Sequence, residues 1–410
     1  MRYLLFLLLL PLLSGCASNP RSAPPHEAVA LSDADRIVRD LCDKRLALLG
    51  EESHHGSART LTFKVELTRR LVEECQFDTF FIETGTYDFL HIQALLKEGQ
   101  TVSEDRVASA IGPMWANQEM TPLIPFLAER INAGTLVAGG IDDQINRGTY
   151  AQREMTRELI PFLEGPRQAE CAAVIERNMS WQYDEAHPYT PEVPKFILGC
   201  WKDLESVLSR PGAAATPSAQ GQLQMARNLV RFVTREVTEQ SRASAQPSGT
   251  LDWFGHNDRD RSMFMNLEWL LSQSPTSRKA IVWLATVHAA RDLTVLDTDD
   301  RHRIPVGAYV HEKFGAQAFV LGFSAGSGSH SLGGSGRTYA LEPARADSLE
   351  GEALSGHTSD TRYLDGSQLR ALGPRVARPL SYSWTTAPWA MVMDGLLIFR
   401  EETLPHPLPR

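Results

Sequence analysis

Apolar runs that alternate with helical patterns constrain the fold of this chain more than any other feature. The runs have no strict alternation of polar and apolar residues, and they cover 46–49, 79–82, 135–138, 280–284, 318–323 and 395–399. Such runs are typical of strands covered on both faces. Apolar residues recur at helical spacing between them, notably over 58–75, 88–98, 120–132 and 259–273. Strands that alternate with helices predict an α/β fold with a mainly parallel sheet flanked by helices.

One segment of the chain lacks strand signals and reads as helix after helix. We therefore predict a helical lobe over about 150–275, inserted between the third and fourth sheet strands of a domain that spans 31–410. The sheet lobe is then formed by about 40–149 and 276–402. The Gly/Ser-rich stretch 324–337 is too long for a plain turn, so we expect it to be disordered or a mobile lid.

The N-terminus predicts export. Residues 1–16 combine a positive charge, an apolar run and the sequence Leu13-Ser14-Gly15-Cys16, which looks like a bacterial lipobox. An ordinary signal peptide with an incidental cysteine is the alternative. In the lipoprotein interpretation Cys16 carries the lipid, and Ala17, rather than an aspartate, follows it. That favours anchoring in the outer membrane with the protein facing the periplasm, on a flexible tether over 17–30.

Cysteine count and charge add two constraints. Four cysteines remain after Cys16, which allow three pairings; we predict Cys42–Cys75 and Cys171–Cys200, because each pair flanks one local unit. An exported protein meets an oxidising compartment, where disulfides persist. The formal net charge is -9 and no long basic run is present, so a nucleic-acid partner is not expected.

Acids and histidines gather just beyond several predicted strands. Because parallel strands place their carboxyl ends at one rim, we expect these side chains to converge there. Histidine beside a carboxylate suits hydrolysis by an activated water. The same residue types suit a divalent metal, but no HExxH motif is present, so no cofactor is expected and a metal-dependent hydrolase is the alternative. The candidates are Glu51, His54, His55, Glu83, Asp142 and His288.

A serine nucleophile is a further alternative. Residues 322–326 read Gly-Phe-Ser-Ala-Gly and follow a predicted strand, which fits the G-x-S-x-G nucleophile elbow. The elbow needs a helix straight after the serine. A Gly/Ser-rich stretch follows Ser324 instead, which disfavours this interpretation.

Over about 40–400 the ordered set of motifs resembles the erythromycin esterase family. The strand-end loop at 50–56 is similar to the family's Gly-Glu-x-x-His-Gly, and 80–83 to its second strand. Its Gly-x-Asp, Arg-Asp-x-x-Met and Trp-x-His-Asn-x-His motifs resemble residues 140–142, 259–263 and 283–288. The resemblance implies a cleft between a sheet lobe and a helical lobe, and hydrolysis of a macrolide lactone by a histidine-activated water.

Carried over by position, the resemblance assigns most of the site. Glu83 and His288 transfer directly. Glu51 and His54 fit Glu-x-x-His, whereas His55 fits the His-Gly half, so either histidine can be the base. The chain departs from the family at three positions: Lys64 replaces an arginine, and Ala285 and Thr286 replace a histidine and an asparagine. These departures bear on macrolide hydrolysis more than on general hydrolysis, since one base with one partner can activate water.

The sequence thus predicts a lipid-anchored periplasmic hydrolase that cleaves a small-molecule ester or lactone. His54 or His55 is the base, Glu51 or Glu83 orients it, and His288 positions water or stabilises an oxyanion. Supporting roles fall to Lys64, Asp142, Arg259 and Arg291, with Asp142 acting through Arg291. A non-catalytic lipoprotein that binds a ligand in the cleft is the remaining alternative.

Overall fold

The computed structural model describes residues 31–53, 55–213, 216–245, 252–273, 278–333 and 336–408. The predicted signal peptide, the lipidated Cys16 and the tether lie outside these residues, as does His54.

The described elements alternate between strand and helix over most of the chain. The strands are β1 Leu46–Leu49, β2 Thr79–Gly85, β3 Val137–Asp142, β4 Ala280–Trp283, β5 Ala318–Ala325, β6 Gly328–Ser331, β7 Thr338–Leu341, β8 Thr361–Asp365, β9 Arg375–Ala377, β10 Thr385–Ala387 and β11 Gly395–Phe399. The α-helices are α1 Asp33–Leu41, α2 Ala58–Cys75, α3 Thr86–Lys97, α4 Glu104–Ile111, α5 Leu123–Asn132, α6 Tyr150–Leu159, α7 Pro166–Ser180, α8 Glu192–Leu208, α9 Pro217–Ala245, α10 Phe254–Ser272, α11 Thr286–Ala289, α12 Val306–Phe314, α13 Leu349–Leu354, α14 Gly366–Leu372 and α15 Trp389–Val392. Short 3-10 helices cover Pro113–Trp115, Ile160–Phe162, Asp299–His302 and Gly315–Gln317.

A central sheet of seven strands carries the fold, in the order β3-β2-β4-β1-β5-β11-β8. All neighbours pair in parallel except β8, which runs antiparallel to β11 at one edge. The predicted α/β class with a mainly parallel sheet is therefore confirmed. The register places Trp283 at the end of β4 opposite Leu49 of β1 and Ile82 of β2, so these strands end at one level.

Burial on both faces explains why the central strands read as unbroken apolar runs. Every residue of β1, β2, β4, β5 and β11 is buried. Alternate side chains enter two cores: Ala47 and Leu49 pack on the α1–α5 side, and Leu46 and Leu48 pack with α10 and the later helices. Each face therefore excludes water from the sheet, which is the arrangement that parallel strands need.

The inserted helices form a third core of their own. Side chains of α6, α7, α8 and α9 pack together with Leu90 of α3. The last helix of the predicted lobe, α10, also packs on the sheet through Met263, Leu267 and Leu270, so it belongs to both parts. Both predicted disulfides are present, with Cα atoms 4.9 Å apart for Cys42–Cys75 and 5.8 Å apart for Cys171–Cys200.

The Gly/Ser-rich stretch corrects one prediction. Residues 324–337 were expected to be disordered or a mobile lid, but β5 continues to Ala325 and β6 pairs antiparallel with β7. The backbone of Ser331 donates to the carbonyl of Gly56, 2.8 Å away, so this hairpin covers the loop after β1. Gly56 has no space for a side chain there, since a Cβ would lie 1.8 Å from the Ser331 carbonyl oxygen.

Short amphipathic strands were missed by the sequence analysis. The edge strand β8 and the β9–β10 pair contain only three to five residues and mix polar with apolar side chains. Among the described residues, no helix combines the length and the apolar character needed to cross a membrane.

Candidate active site

Four neighbouring strands deliver the predicted side chains to one edge of the sheet. Glu51 and His55 follow β1, and Glu83 lies near the end of β2. Asp142 ends β3, and His288 lies in α11, directly after β4. Because β3, β2, β4 and β1 are adjacent and parallel, these groups converge, as expected.

The first pair is an imidazole oriented by a carboxylate. Nδ1 of His55 contacts Oε2 of Glu51. The other oxygen of Glu51 accepts a hydrogen bond from Nζ of Lys64 at 2.8 Å and another from the indole N–H of Trp283. With Nδ1–H directed at Glu51, the lone pair of the ring lies on Nε2, which is 3.9 Å from Oε2 of Glu83. This is the tautomer that a general base requires.

Burial and charge act in opposite directions on this pair. Burial disfavours the charged carboxylate of Glu51, but Lys64 and His55 outweigh it and lower the pKa of Glu51 to about 2. Burial also lowers the pKa of His55, but the charge of Glu51 outweighs it, so the net shift of that pKa is upward. For Lys64, burial prevails over Glu51 and lowers the pKa to about 8. Glu51 is therefore an ionised acceptor that makes His55 more basic.

The backbone of His55 and the Trp115 ring also restrict the position of the imidazole. His55 has a positive φ of 70°, an uncommon conformation for a residue with a side chain. Backbone strain of this kind persists only where the surroundings determine it, and it clusters at active sites. Here the His55 ring packs at 4.5 Å from the ring of Trp115. The hydroxyl of Ser53 accepts the Gly56 N–H at 3.2 Å and closes the turn.

Glu83 occupies the centre of the site. Its Oε2 accepts the backbone N–H of Ala285 at 2.9 Å and lies 3.9 Å from Nε2 of His55. Its Oε1 lies 3.3 Å from Nε2 of His288 and 3.0 Å from Nη2 of Arg259. Burial opposes ionisation, but His288, His55 and Arg259 together hold the pKa of Glu83 well below its usual value. Glu83 is thus a fixed negative charge between two imidazoles.

A second imidazole–carboxylate pair faces the first across Glu83. Nδ1 of His288 lies 2.8 Å from Oδ1 of Asp260, which also accepts the backbone N–H of Val306 at 3.0 Å. Nε2 of His288 lies between an acceptor, Glu83, and a donor, Nη1 of Arg259 at 3.4 Å. It can therefore either donate or accept a proton at that position. Asp260 is not among the candidates predicted from sequence, although it lies within the Arg-Asp-x-x-Met motif.

Arginine pairing differs from the prediction. Asp142 was expected to act through Arg291, but Arg259 binds it instead, with Nη2 2.6 Å from Oδ2. Arg291 follows α11 and turns away from the rim, where it pairs with Asp394 at 2.5 Å. Arg259 also touches Glu83, and burial is outweighed by its acidic partners, which raise its pKa. Arg259 is the cation that joins the helical segment to the sheet at the site.

The serine alternative is not supported by the geometry. Ser324 lies inside β5, is fully buried, and donates to Oε1 of Glu350 at 2.6 Å. A strand residue and then a hairpin follow it, so the strand–turn–helix of a nucleophile elbow is missing.

Metal binding receives no geometric support within the described ranges, where no group of three or more His, Cys, Asp or Glu side chains is arranged to hold an ion. Arg259 already neutralises Glu83, the carboxylate between the two imidazoles. That cofactors are unnecessary stays a prediction.

Comparison with known proteins identifies the family. The model of the family described as erythromycin esterase matches residues 72–385. This chain belongs to the erythromycin esterase family. It is therefore a member of a hydrolase family, as the resemblance implied. The match begins after Glu51, His55 and Lys64, so the place of these three residues rests on the geometry above.

The similar proteins are distant in sequence. "Putative hydrolase YbfO" of Bacillus subtilis (strain 168) is 22% identical over 328 residues, which are 75% of this chain and 71% of that protein. Among solved structures, a succinoglycan biosynthesis protein has a TM-score of 0.66 at 15% identity, with 92% of this chain and 93% of that chain covered. A mutant of the erythromycin esterase EreC in its open conformation has a TM-score of 0.63 at 14% identity, with 90% and 93% covered. At these identities the two structures show a shared fold.

Proposed function

We propose that this protein hydrolyses a small-molecule carboxylic ester or lactone with a water activated by His55. One observation carries the proposal: Nε2 of His55, with Nδ1 held by Glu51, faces Oε2 of Glu83 across 3.9 Å. That separation is too long for a direct hydrogen bond, but a water placed beside both atoms can bond to each. Such a water has a base on one side and an acceptor on the other.

The reaction follows from these positions. Nε2 of His55 takes a proton as the water oxygen bonds to the carbonyl carbon, and an oxyanion forms on the carbonyl oxygen. Arg259 and His288 supply the donors for that charge. The carbon–oxygen bond to the alcohol then breaks, and a protonated imidazole returns the proton to the departing oxygen. Ester and water give acid and alcohol, and no redox partner is consumed.

The proposed substrate class depends partly on two residues in which this chain differs from the family motif. EreC is named as an erythromycin esterase, and by analogy a lactone is a natural candidate. Ala285 and Thr286, however, stand where the family motif has a histidine and an asparagine. Ala285 contributes its backbone N–H to Glu83, so the acid–base set remains complete without that histidine. We therefore propose ester or lactone hydrolysis without restriction to macrolides.

A substrate panel with matched variants tests the proposal. We expect turnover of some members of an ester and lactone panel, and losses of about 100-fold or more in His55→Asn and Glu83→Gln, measured at a temperature where both variants remain folded. His187→Asn is the control, because His187 is exposed on the helical lobe. Activity should persist after chelation. No turnover of any panel member, or wild-type rates in both site variants, would overturn the proposal.

We further propose that the protein is anchored by a lipid at Cys16 in the outer membrane and faces the periplasm. The lipobox and Ala17 support this. Incorporation of labelled palmitate that is lost in Cys16→Ser, together with outer-membrane fractionation, tests it. A soluble, unlabelled wild-type protein would refute it.

A further inference from the structure

A second pair of acids lies directly behind the catalytic loop, and the proposed chemistry does not use it. Glu52 and Glu402 are 0% and 1% exposed. They come from opposite ends of the domain and meet at the hydroxyl of Thr60, which lies 2.9 Å from Oε1 of Glu52 and 3.1 Å from Oε2 of Glu402. Two buried carboxyl groups bridged by one hydroxyl need an explanation.

Hydrogen counting favours a proton on this pair. The Thr60 hydroxyl has one hydrogen, so it can make one full hydrogen bond, to one of the two carboxyl groups. The second contact forms a hydrogen bond only if the other carboxyl group donates to the Thr60 oxygen. Tyr382 donates its own hydroxyl to Oε1 of Glu52 at 2.8 Å, and therefore does not resolve the Thr60 contact.

Backbone donors decide which acid carries the charge. Glu402 accepts the N–H groups of Arg59 at 2.7 Å and Thr403 at 2.8 Å, and also that of Thr60 at 3.3 Å. Two of these donors belong to the first turn of α2, where the helix dipole favours an anion. Within the described residues Oε2 of Glu52 has no hydrogen-bond partner. The proton therefore belongs on Glu52 and the charge on Glu402.

The same two residues connect three segments that surround His55. Glu402 exchanges backbone hydrogen bonds with Ser327 at 2.9 Å and Ser329 at 3.0 Å, which fix the start of the β6–β7 hairpin. That hairpin holds Gly56, the residue after His55. Glu52, for its part, follows Glu51 directly. The acid pair thus connects the His55 loop, the start of α2 and the β6–β7 hairpin through hydrogen bonds.

We propose that Glu52 and Glu402 share a proton and act as positioning residues, which clamp the His55 loop in its catalytic conformation. The effect on hydrolysis rests on the proposed function, whereas the effect on stability does not.

Titration of the pair gives the clamp a predictable pH limit. Burial raises the pKa of both acids, and the charge of Glu52 raises that of Glu402 further, to about 8; because two interacting acids titrate as a pair, this value describes the loss of their shared proton. The other titratable groups that face the pair are Lys64, Tyr382 behind Glu52, and His330 and Arg378 against the Tyr382 ring. Since the folded-state pKa exceeds the unfolded value of 4.5, the stabilisation is present at low pH and is lost as pH rises through about 8.

Neutral isosteres test the clamp without reference to activity. Thermal midpoints should be measured from pH 6 to 9.5 for the wild type, Glu52→Gln, Glu402→Gln and Glu66→Gln. Glu66 is an exposed residue of α2 and serves as the matched control. Lys64, whose pKa is lowered to about 8, gains stability with pH in the wild type and in the variants, so the comparison between proteins isolates the acid pair. As pH rises through about 8, we expect the midpoint of Glu52→Gln, whose amide donates permanently, to increase relative to those of the wild type and the control. The same pH dependence in Glu52→Gln as in the wild type, or in Glu402→Gln if the first variant fails to fold, would overturn the proposal.

Kinetics test the positioning role. We expect Glu52→Ala to lower kcat by about tenfold or more with KM within threefold, because a displaced base harms chemistry more than binding, and Glu52→Gln to restore kcat to within threefold. An unchanged kcat in Glu52→Ala would refute positioning. If the wild type hydrolyses nothing on the panel, the proposed function fails, and the thermal measurement still decides whether the clamp exists.

Discussion

Substitution of Asp260 tests whether the second imidazole pair contributes to turnover. Oδ1 of Asp260 accepts from Nδ1 of His288 at 2.8 Å and from the Val306 N–H at 3.0 Å. Asparagine can keep an oxygen at that position, removes the negative charge and replaces the second oxygen with an amide NH2 group. Alanine removes the acceptor altogether. The two variants therefore separate the charge of Asp260 from its hydrogen bond.

The structure gives each step a magnitude. A hydrogen bond to a charged group contributes roughly 1.5–3 kcal/mol, against about 1 kcal/mol for a neutral one. Loss of the charge in Asp260→Asn should therefore lower kcat/KM by about 2- to 30-fold, and loss of the acceptor in Asp260→Ala by about 10- to 150-fold. Alanine also leaves the buried Val306 N–H unpaired, which costs a further 1–3 kcal/mol or so of unfolding free energy.

The assay is kcat/KM on an ester substrate of the wild type, paired with urea unfolding of each variant. Asp258→Asn is the control, because Asp258 lies on the same helix but pairs with Arg235 at 3.3 Å instead of His288. The order should be wild type above Asn above Ala, with the control within twofold of the wild type. Wild-type rates in both Asp260 variants, or a more active alanine than asparagine, would refute a role for this pair.

Three further predictions concern the groups around Glu83. Glu51→Gln should move the acid limb of the kcat/KM–pH profile to lower pH, because His55 must be neutral to act and Glu51 is what raises its pKa; a midpoint that stays or rises would contradict this. Lys64→Met should cost about 3–5 kcal/mol in urea unfolding, because it breaks a buried 2.8 Å ion pair and leaves Glu51 without its cation; a loss under about 1 kcal/mol would argue against that pair. Arg259→Gln should lower kcat by about 100-fold and add a new acid limb as the pKa of Glu83 rises; an unchanged profile would remove Arg259 from the charge balance.

Whether a site residue could be predicted from sequence depends on whether strand order or a tertiary contact determines its position. Glu51, Glu83, Asp142 and His288 follow strands, and a parallel sheet alone brings their positions to one rim. That inference needs only the order of strands and helices, which apolar patterning carries. It did not need the register of any helix.

Residues on the inserted segment could not be placed in that way. The register of α10 against the sheet is set by tertiary contacts, such as the Asn266 amide on the carbonyl of Ile141 at 2.9 Å. Local sequence carries no trace of that contact, so the role of Asp260 went unrecognised and Arg291 was paired with Asp142 in place of Arg259. The prediction for the stretch that forms the β6–β7 hairpin was wrong for a similar reason. Its pairing with Gly56 is a tertiary contact, and it outweighs the weak strand preference of Gly and Ser.

The two imidazole–carboxylate pairs form one electrostatic cluster. The cluster contains two cations, Lys64 and Arg259, and two imidazoles. Its four carboxylates are Glu51, Glu83, Asp142 and Asp260. With both rings neutral the formal charge of the cluster is −2, and uptake of a proton by His55 makes it less negative by one. Burying net charge is costly, so the cluster gains stability when His55 takes up a proton. In the proposed reaction, the proton that water loses therefore moves to a position where the surrounding charges favour it, and the negative charge passes to the oxyanion facing Arg259. A site built on one imidazole and one carboxylate would lack the second ring, which the proposed reaction uses as a hydrogen-bond donor to the oxyanion.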